Sequence, residues 1–255
     1  MKIKRSFRRI VGLLVLTWSI NGYGLEISQY PALETLIKTM VTEDGYPEKE
    51  LRQVLGQAAI DQKIIQAMNR QYEALPWHKY QKLFINQNRI DKGVLFWAEN
   101  EKTLAAAEQE YGVPQAVMVA LIGVETHYGT RMGNKRVLDA LVTLTADFPR
   151  RSKFFGNELR TFLNTTRQEG IAPDSVMGSF AGAIGIPQFM PTSYEAYAVD
   201  FNGNGRRDLV NESGPTDRIH PYNSFWGTLI ERDDLISYDA NAQAAASGSG
   251  ETTNR

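Results

Sequence analysis

An almost entirely apolar segment constrains this chain more than any other feature. Residues 114–124 read Pro-Gln-Ala-Val-Met-Val-Ala-Leu-Ile-Gly-Val, and Glu125 follows directly. Because the segment is hydrophobic nearly all round, it predicts a buried helix that ends in a carboxylate. Desolvation should raise the pKa of that carboxylate. A carboxylic acid that stays partly protonated near neutral pH suits a general acid for glycoside cleavage, and a structural Glu paired with an Arg is the alternative.

The N-terminus has the pattern of a signal peptide. Five basic residues within the first nine positions precede the apolar run 10–20, which is too short to span a bilayer comfortably. Glycines at positions 22 and 24 predict cleavage before Leu25, and an uncleaved inner-membrane anchor is the alternative. Either outcome exports the protein, so we expect a periplasmic location.

The composition excludes several classes of protein and site. The 255 residues, 42% of them hydrophobic, are enough for one large core or two modest ones. The absence of cysteine excludes disulfides, thiolate metal sites, a cysteine nucleophile and a lipid anchor on cysteine. Without residues 1–24, 23 basic residues remain against 29 acidic ones, a net charge of −6. This charge balance gives no support for nucleic acid as a partner. We also expect the protein to be a monomer.

Apolar periodicity predicts a mainly helical protein. Helices are expected between Pro31 and Gly45, and over residues 47–55, 61–68, 91–110, 114–125, about 138–144, 154 to before Gly170, and 191–197. Asp91 should cap the helix over 91–110, and Gly112 should end it. Residues 77–80 are expected in a loop, and residues 178–185 in an irregular, closely packed segment. No alternating strand pattern and no internal repeat are present.

Two further segments carry polar groups that suit ligand binding. Arg150 and Arg151 lie between aromatic residues, where paired guanidinium groups can bind a carboxylate or sugar oxygens. An ordinary charged turn is the alternative. Residues 178–191 combine small residues, which let a ligand approach closely, with the hydrogen-bonding side chains of Ser179 and Gln188. Tight packing explains the glycines of this segment but not its polar residues.

Four motifs occur together in one order and spacing: Val124–Gly129, Leu138–Leu141, Pro149–Arg151 and Ser179–Tyr194. In this combination, over roughly residues 30–211, the chain resembles the B-type membrane-bound lytic murein transglycosylase family, the Slt35-like group. The resemblance implies a lysozyme-like core with an additional N-terminal helical region. It also implies an enzyme that cleaves the β-1,4 bond between N-acetylmuramic acid and N-acetylglucosamine in peptidoglycan. The product would be a 1,6-anhydromuramoyl end, formed without a catalytic cofactor.

The resemblance also implies roles for individual residues. Glu125 resembles the single acid/base, which protonates the leaving oxygen and then deprotonates the muramoyl 6-hydroxyl for intramolecular attack. Contacts with the glycan or its peptide are implied for five side chains: Tyr80, Arg150, Arg151, Ser179 and Gln188. A two-carboxylate hydrolase could use Asp139, but the family pattern gives it no catalytic role, and we expect a cap or an ion pair there.

A loop that resembles an EF-hand starts at Asp200. Oxygen donors at loop positions 1, 3, 5 and 9 and a glycine at position 6 match the first half of a calcium loop. The twelfth residue of the loop is Asn211 rather than the usual Glu, and two arginines lie inside the loop. We therefore expect that the loop binds a structural calcium ion weakly, and a metal-free turn is the alternative. The candidate ligands are Asp200, Asn202, Asn204, Arg206 and Asp208.

The family pattern ends after Asn211. Residues 212–255 lack helical periodicity, and from Asp239 onward they are rich in Ala, Ser, Gly and Asn, which predicts a disordered tail. We therefore expect a signal peptide (1–24), an N-terminal helical region (25–112), an incomplete lysozyme-like catalytic core (113–211) and an atypical tail (212–255). The alternative to an active enzyme is a non-catalytic truncated remnant or a glycan-binding module.

Overall fold

Helices dominate the protein. The computed structural model describes residues 24–69, 76–200 and 207. Among these residues lie ten α-helices: α1 (Pro31–Glu43), α2 (Glu48–Gly56), α3 (Gln62–Met68), α4 (Trp77–Phe84), α5 (Gln87–Glu99), α6 (Glu101–Tyr111), α7 (Gln115–Thr126), α8 (Val137–Asp147), α9 (Ser152–Glu169) and α10 (Pro191–Tyr197). Connections include 3-10 turns at Ile27–Gln29, Pro149–Arg151 and Pro173–Ser175, and two short strands, β1 (Lys135–Arg136) and β2 (Met177–Gly178). The prediction of a mainly α fold is confirmed.

Local sequence explains where several helices begin and end. Asp61 caps α3, because its Oδ1 accepts a hydrogen bond from the backbone N–H of Lys63 at 2.9 Å. Gly112 and Gly170 follow α6 and α9 with left-handed φ angles of 72° and 69°, a conformation that glycine adopts most readily. The predicted ends of these two helices are confirmed.

Residues 77–80 are not a loop, so that prediction is wrong. They begin α4, which starts after Pro76 in an extended conformation. Trp77, Tyr80 and Phe84 form a row along this helix, with consecutive ring centroids 6.2 and 5.1 Å apart. Side chains three or four residues apart are neighbours on a helix, so the aromatic residues that suggested an interruption are a helical row.

The single long helix predicted over residues 91–110 is two helices. The N-cap of α5 is Asn86 rather than the expected aspartate, and its Oδ1 accepts from the backbone N–H of Arg89 at 3.1 Å. At Asn100 the backbone leaves helical values (φ −116°, ψ 15°), and the side-chain amide donates to the carbonyl of Phe96 at 2.7 Å. Asparagine side chains compete for backbone hydrogen bonds in this way, so α5 ends and α6 begins at this residue.

Two clusters of buried side chains hold the helices together. The α9 core joins α1, α2 and α3 to α8 and α9, and its fully buried side chains include Leu33, Leu51, Leu141 and Phe162. The α7 core joins α5, α6 and α7 through Phe96, Leu104, Ala107, Met118, Val119 and Ile122, and it also includes Ile186. Each core draws on residues before and after position 112, and the region boundary expected there remains a prediction.

A short ribbon folds residues 177–190 back on themselves. β1 and β2 pair antiparallel with Lys135 opposite Gly178, although the sequence has no alternating strand pattern at this point. Strands of two residues are too short to show alternation in a sequence. Bridges from Gly178 to Ile184 and from Ile184 to Phe189 extend the pairing into a compact irregular segment, which confirms the irregular structure predicted there.

Several predictions fall outside the described residues. These are the signal peptide apart from Gly24, the tail over residues 212–255 and most of the EF-hand-like loop. Within residues 24–69 and 76–200, no helix has both the length and the apolar character that a membrane span requires.

Candidate active site

The helix that carries Glu125 is buried on one side only. The side that faces the α7 core is formed by Met118, Val119, Ile122, Gly123 and Thr126. On the other side, Val117 and Val124 are each 46% exposed. The prediction of burial all round is therefore wrong: a sequence gives the apolar content of a helix but not which of its faces a neighbour covers.

Glu125 stands near the end of α7 on the open side, and the residue is exposed. Protein atoms nevertheless surround its carboxyl group closely enough that desolvation raises its pKa, and desolvation is the only cause of the shift. Within the described residues no hydrogen bond or ion pair reaches this carboxylate. The alternative of a structural Glu paired with an Arg therefore has no partner in this part of the chain. A carboxyl group in this state can hold a proton and give it to a neighbouring oxygen.

A tight turn follows Glu125. His127 and Tyr128 both take left-handed backbone conformations, with φ angles of 52° and 62°, which are uncommon for residues other than glycine. The buried Oγ1 of Thr126 accepts from the backbone N–H of Gly129 at 3.0 Å and stabilises the turn. The helix thus ends abruptly after its carboxylate.

His127 is a buried, uncharged neighbour in this turn. Burial lowers the pKa of the imidazole, and three nearby cations lower it further: Lys92, Arg89 and Arg131. The ring is therefore neutral at neutral pH. Its Nδ1 is buried and has no hydrogen-bond partner among the described residues.

Ser179 stabilises the segment in which it lies. This segment packs on the α7 core through Ile186 and Phe189. The Oγ of Ser179 accepts from the backbone N–H groups of Ala181 and Ala183 at 3.3 and 3.0 Å. The hydroxyl hydrogen is the part of the side chain not used in these bonds. A local structural use, which sequence reasoning did not foresee, therefore stands beside the predicted contact with a saccharide.

The side chain of Gln188, like that of Ser179, forms hydrogen bonds with backbone groups. Its Nε2 donates to the carbonyl groups of Met132 and Gly185 at 3.1 and 2.8 Å, and its backbone φ of 52° is left-handed. The first bond ties the segment to the loop that follows α7. Both amide hydrogens are used in these two bonds, so Oε1 is the atom that can accept from a ligand.

Tyr80 occupies the middle of the aromatic row on α4. Trp77, at the outer end of the row, is 68% exposed. At the inner end, the guanidinium carbon of Arg89 lies 5.3 Å from the centroid of the Phe84 ring. The Nη1 of the same arginine donates to the carbonyl of Gly123 in α7 at 2.5 Å. The row is thereby connected to the helix that carries the candidate acid.

Arg150 and Arg151 lie in the 3-10 turn between α8 and α9. Each guanidinium group lies over a phenylalanine ring, 5.3 and 4.0 Å from the ring centroid, so the arrangement of arginines beside aromatic rings is present. Arg150 also donates to Oδ1 of Asn69 at 3.3 Å. Within the described residues no hydrogen bond joins this turn to Glu125.

Asp139, the second carboxylate that the sequence offered, is fully engaged. Both of its oxygens accept from Arg136 at 2.8 Å. Its Oδ1 also accepts from the backbone N–H of Ala59 at 2.8 Å. The side chain is the ion pair that was expected and is not placed to activate a water molecule.

The EF-hand-like loop is described only at Asp200 and Arg207. Arg207 Nε donates to Oε1 of Glu169 at 2.6 Å, and its guanidinium group lies over the ring of Tyr194. This arginine is thus paired with the end of α9. Within the described residues no group of three His, Cys, Asp or Glu side chains is arranged to hold a metal ion. The other candidate ligands lie outside the described residues: Asn202, Asn204, Arg206 and Asp208.

Similarity to known proteins identifies the family of this helical fold. The profile of the transglycosylase SLT domain matches residues 28–225. The chain belongs to the SLT transglycosylase family. Membrane-bound lytic murein transglycosylase B of Escherichia coli (strain K12) is 37% identical over 237 residues, which cover 89% of this chain and 65% of that protein. The predicted resemblance to the B-type lytic transglycosylases is confirmed.

Solved structures of SLT-family proteins have the same fold. The E. coli lytic transglycosylase Slt35 in complex with calcium matches with a TM-score of 0.71 and 38% identity, covering 81% of this chain and 63% of that one. Pseudomonas aeruginosa SltB3 in complex with NAG-anhNAM-pentapeptide matches with a TM-score of 0.64 and 27% identity, covering 76% of this chain and 49% of that one. The chain spans less than two thirds of the length of these relatives. The prediction of a lysozyme-like core is confirmed.

Sequence reasoning missed two residues that hold the end of α7 in this SLT-family chain. They are Arg89 and Tyr128, whose hydroxyl group lies between α5 and α7. A Cβ atom at Gly93 or Gly123 would come within 2.5 or 2.6 Å of the Tyr128 hydroxyl oxygen. Glycine inside a helix is unfavourable unless a neighbour needs the space. Gly93 and Gly123, each inside a helix, were the sequence signal that could have indicated this close packing.

Proposed function

We propose that this protein is a lytic transglycosylase of peptidoglycan. It cleaves the β-1,4 bond between N-acetylmuramic acid and N-acetylglucosamine and leaves a 1,6-anhydromuramoyl end. The observation that carries this proposal is the place of Glu125, an exposed residue in the last turn of α7 whose carboxylate has no hydrogen-bond or ion-pair partner in the described chain and whose pKa is raised by desolvation. Membership of the SLT family supports the reaction class. The complex of the relative SltB3 with NAG-anhNAM-pentapeptide supports the substrate class.

Glu125 acts first as the acid and then as the base. Its carboxyl group gives a proton to the glycosidic oxygen while the bond between that oxygen and muramoyl C1 breaks. The resulting carboxylate takes the proton of the muramoyl 6-hydroxyl group, whose oxygen bonds to C1. The proton returns to Glu125, so the cycle uses no water, cofactor or second carboxylate. The engagement of Asp139 with Arg136 supports this single-residue scheme.

Five side chains contact the glycan strand or its peptide in this proposal: Tyr80, Arg150, Arg151, Ser179 and Gln188. The aromatic row around Tyr80, with Trp77 exposed and Tyr80 partly exposed, offers apolar ring faces on which a sugar ring can stack. The unengaged Oε1 of Gln188 can accept from a sugar hydroxyl or amide group. The arginine turn offers cationic groups for a peptide carboxylate.

The remaining proposals concern location, assembly and metal. The protein is exported to the periplasm, which the basic and then apolar N-terminus supports. It acts as a monomer on glycan strands, and its net charge without residues 1–24 gives no reason to bind nucleic acid. A structural calcium ion is held by the loop at Asp200, which the calcium complex of the relative Slt35 supports. Calorimetric titration with calcium tests the metal, and sedimentation tests the monomer.

The decisive experiment is digestion of purified murein sacculi followed by mass spectrometry. Anhydromuramoyl ends from the natural chain, absent with a Glu125→Gln variant of unchanged circular dichroism, support the proposal. Reducing muramoyl ends indicate a hydrolase instead. If a folded natural chain binds sacculi and releases no fragment, the protein is a glycan-binding module and the transglycosylase proposal is wrong.

A further inference from the structure

The last turn of α7 is capped by a side chain from another helix. The backbone N–H of His127, which would continue the helix by donating to Gly123, donates to the carbonyl of Ile122 instead. The carbonyl of Gly123 accepts from Arg89 Nη1 at 2.5 Å. A cation at a helix C-terminus satisfies an unpaired carbonyl group and interacts favourably with the helix dipole. Arg89 therefore caps the helix two residues before Glu125.

The position of Arg89 is itself fixed. Its backbone N–H donates to the Asn86 N-cap of α5 at 3.1 Å, and its guanidinium group lies over the Phe84 ring of α4. Its Nε is buried with no partner among the described residues. The side chain thus bridges three helices, and two of its contacts lie on elements other than its own.

Tyr128 also packs against this end of α7. Its hydroxyl group fits between Gly93 of α5 and Gly123 of α7, where neither position has space for a Cβ atom. Its ring lies 5.5 Å from that of Phe96. The carbonyl that Arg89 binds and the backbone that Tyr128 touches belong to the same residue, so both side chains act on one point of α7.

We propose that Arg89 is the positioning residue for Glu125. By binding a carbonyl group rather than the carboxylate, it fixes the end of α7 while it leaves the acid without an ion pair. Loss of this bond lets the last turn of α7 shift, and the carboxyl group no longer meets the glycosidic oxygen at the right distance. This proposal rests on the function proposed above.

The test compares Arg89→Met, Arg89→Lys and Arg89→Ala with the natural chain on a purified soluble peptidoglycan oligosaccharide. We expect Arg89→Met to lower kcat about tenfold or more while KM changes by less than about twofold, because misplacement of an acid affects the reaction more than substrate binding. Arg89→Lys should recover part of the rate. Added guanidinium ions, at concentrations that leave the fold intact, should restore part of the activity of Arg89→Ala, which a general loss of stability would not permit.

Arg131→Met is the matched control. Arg131 is an exposed cation near the same turn, and its side chain makes no hydrogen bond or ion pair within the described residues. Its loss should leave kcat unchanged. A rise in KM with constant kcat in Arg89→Met would place Arg89 on the substrate and overturn the positioning role.

Hydrogen exchange separates this proposal from the proposed function. In Arg89→Met the amides of residues 126–129 should exchange faster than in the natural chain, while those of α9 keep their protection. This readout needs no activity, so it decides whether Arg89 fixes the helix end even if the natural chain cleaves nothing. Unchanged exchange at residues 126–129 would overturn the proposal.

Discussion

Two carboxylates of the molecule, Glu158 on α9 and Glu125 at the end of α7, have opposite surroundings. In the α9 core, Glu158 is 2% exposed and accepts from the backbone N–H and the hydroxyl group of Thr192 at 2.9 and 2.7 Å. At the end of α7, Glu125 has no such partner in the described chain. Of the three buried side-chain polar atoms that lack a partner in the described residues, two lie around this helix end: Arg89 Nε and His127 Nδ1. Buried polar groups are nearly always hydrogen-bonded, so the concentration of exceptions marks a region that is not arranged for stability alone.

The pKa values express the same contrast. The hydrogen bond from Arg160 is the first cause that holds the pKa of Asp44 below its ordinary value. At Glu125 desolvation raises the pKa and no cation opposes it. A lowered pKa keeps a carboxylate charged and useful as a structural partner, whereas a raised pKa keeps a proton available for transfer.

The largest expected effect is on activity at the α7 end. Replacement Glu125→Gln keeps the size of the side chain and removes the proton that is transferred, so kcat should fall about 10²- to 10⁴-fold. Because no partner is lost, the melting temperature should stay the same or rise. Initial rates of fragment release and thermal unfolding measure the two quantities. A variant that keeps more than about a tenth of the natural rate would remove Glu125 from the acid/base role.

The opposite result is expected in the α9 core. Glu158→Ala leaves the backbone N–H of Thr192 without its acceptor, and the free energy of unfolding should fall by about 1–3 kcal/mol. At a temperature where the variant is folded, kcat should match that of the natural chain. Urea unfolding and initial rates measure this difference. Loss of kcat in a folded Glu158→Ala variant would mean that the two cores are not functionally distinct.

The sequence predicted the features that depend on local periodicity. The helices at Pro31 and Pro191 and the glycine ends of α6 and α9 follow from spacing and from single residues. The role of Glu125 stays a prediction, which was drawn from the family resemblance and from a burial of α7 that is present on one side only. The aromatic row on α4 was missed because bulky aromatic residues were interpreted as a break rather than as a spacing of three and four residues. The split at Asn100 was missed because a single polar side chain decides it.

The arrangement around Glu125 depends on contacts that no local pattern contains. Arg89 binds Gly123 across 34 positions of the sequence. The exposed face of α7 has the same apolar composition as its buried face, so only the packing of α5 and α6 decides which side is covered. The hydrogen bonds of Ser179 and Gln188 depend on the folding of residues 178–190, which small residues allow but do not specify.

The response to pH should have opposite signs in the two regions. The pKa of Glu125 is raised on folding, so its contribution to stability is highest at low pH and is lost as the pH rises above the ordinary pKa of a carboxyl group. The Glu125→Gln variant should therefore be more stable than the natural chain between about pH 4 and neutral pH. For Asp44, whose pKa is lowered, the contribution is present at neutral pH and is lost as pH falls; Asp44→Asn should be destabilised at neutral pH and less so below about pH 4. Unfolding measured at both pH values tests the pair, and differences of equal sign would contradict it.

The smallest expected effect concerns the aromatic row on α4. Tyr80→Ala removes the central ring, and aromatic contacts of about 0.5–1.5 kcal/mol correspond to a rise in KM of about two- to tenfold with kcat nearly constant. Leu83→Ala is the matched control, because Leu83 is 50% exposed on the same helix but lies outside the row of rings. Steady-state kinetics on soluble oligosaccharides of increasing length measure KM for both variants. An equal rise in KM for Leu83→Ala would assign the effect to disturbance of α4 rather than to stacking on Tyr80. A fall in kcat for Tyr80→Ala alone would mean that the row acts on Glu125 through Arg89 and not on the glycan.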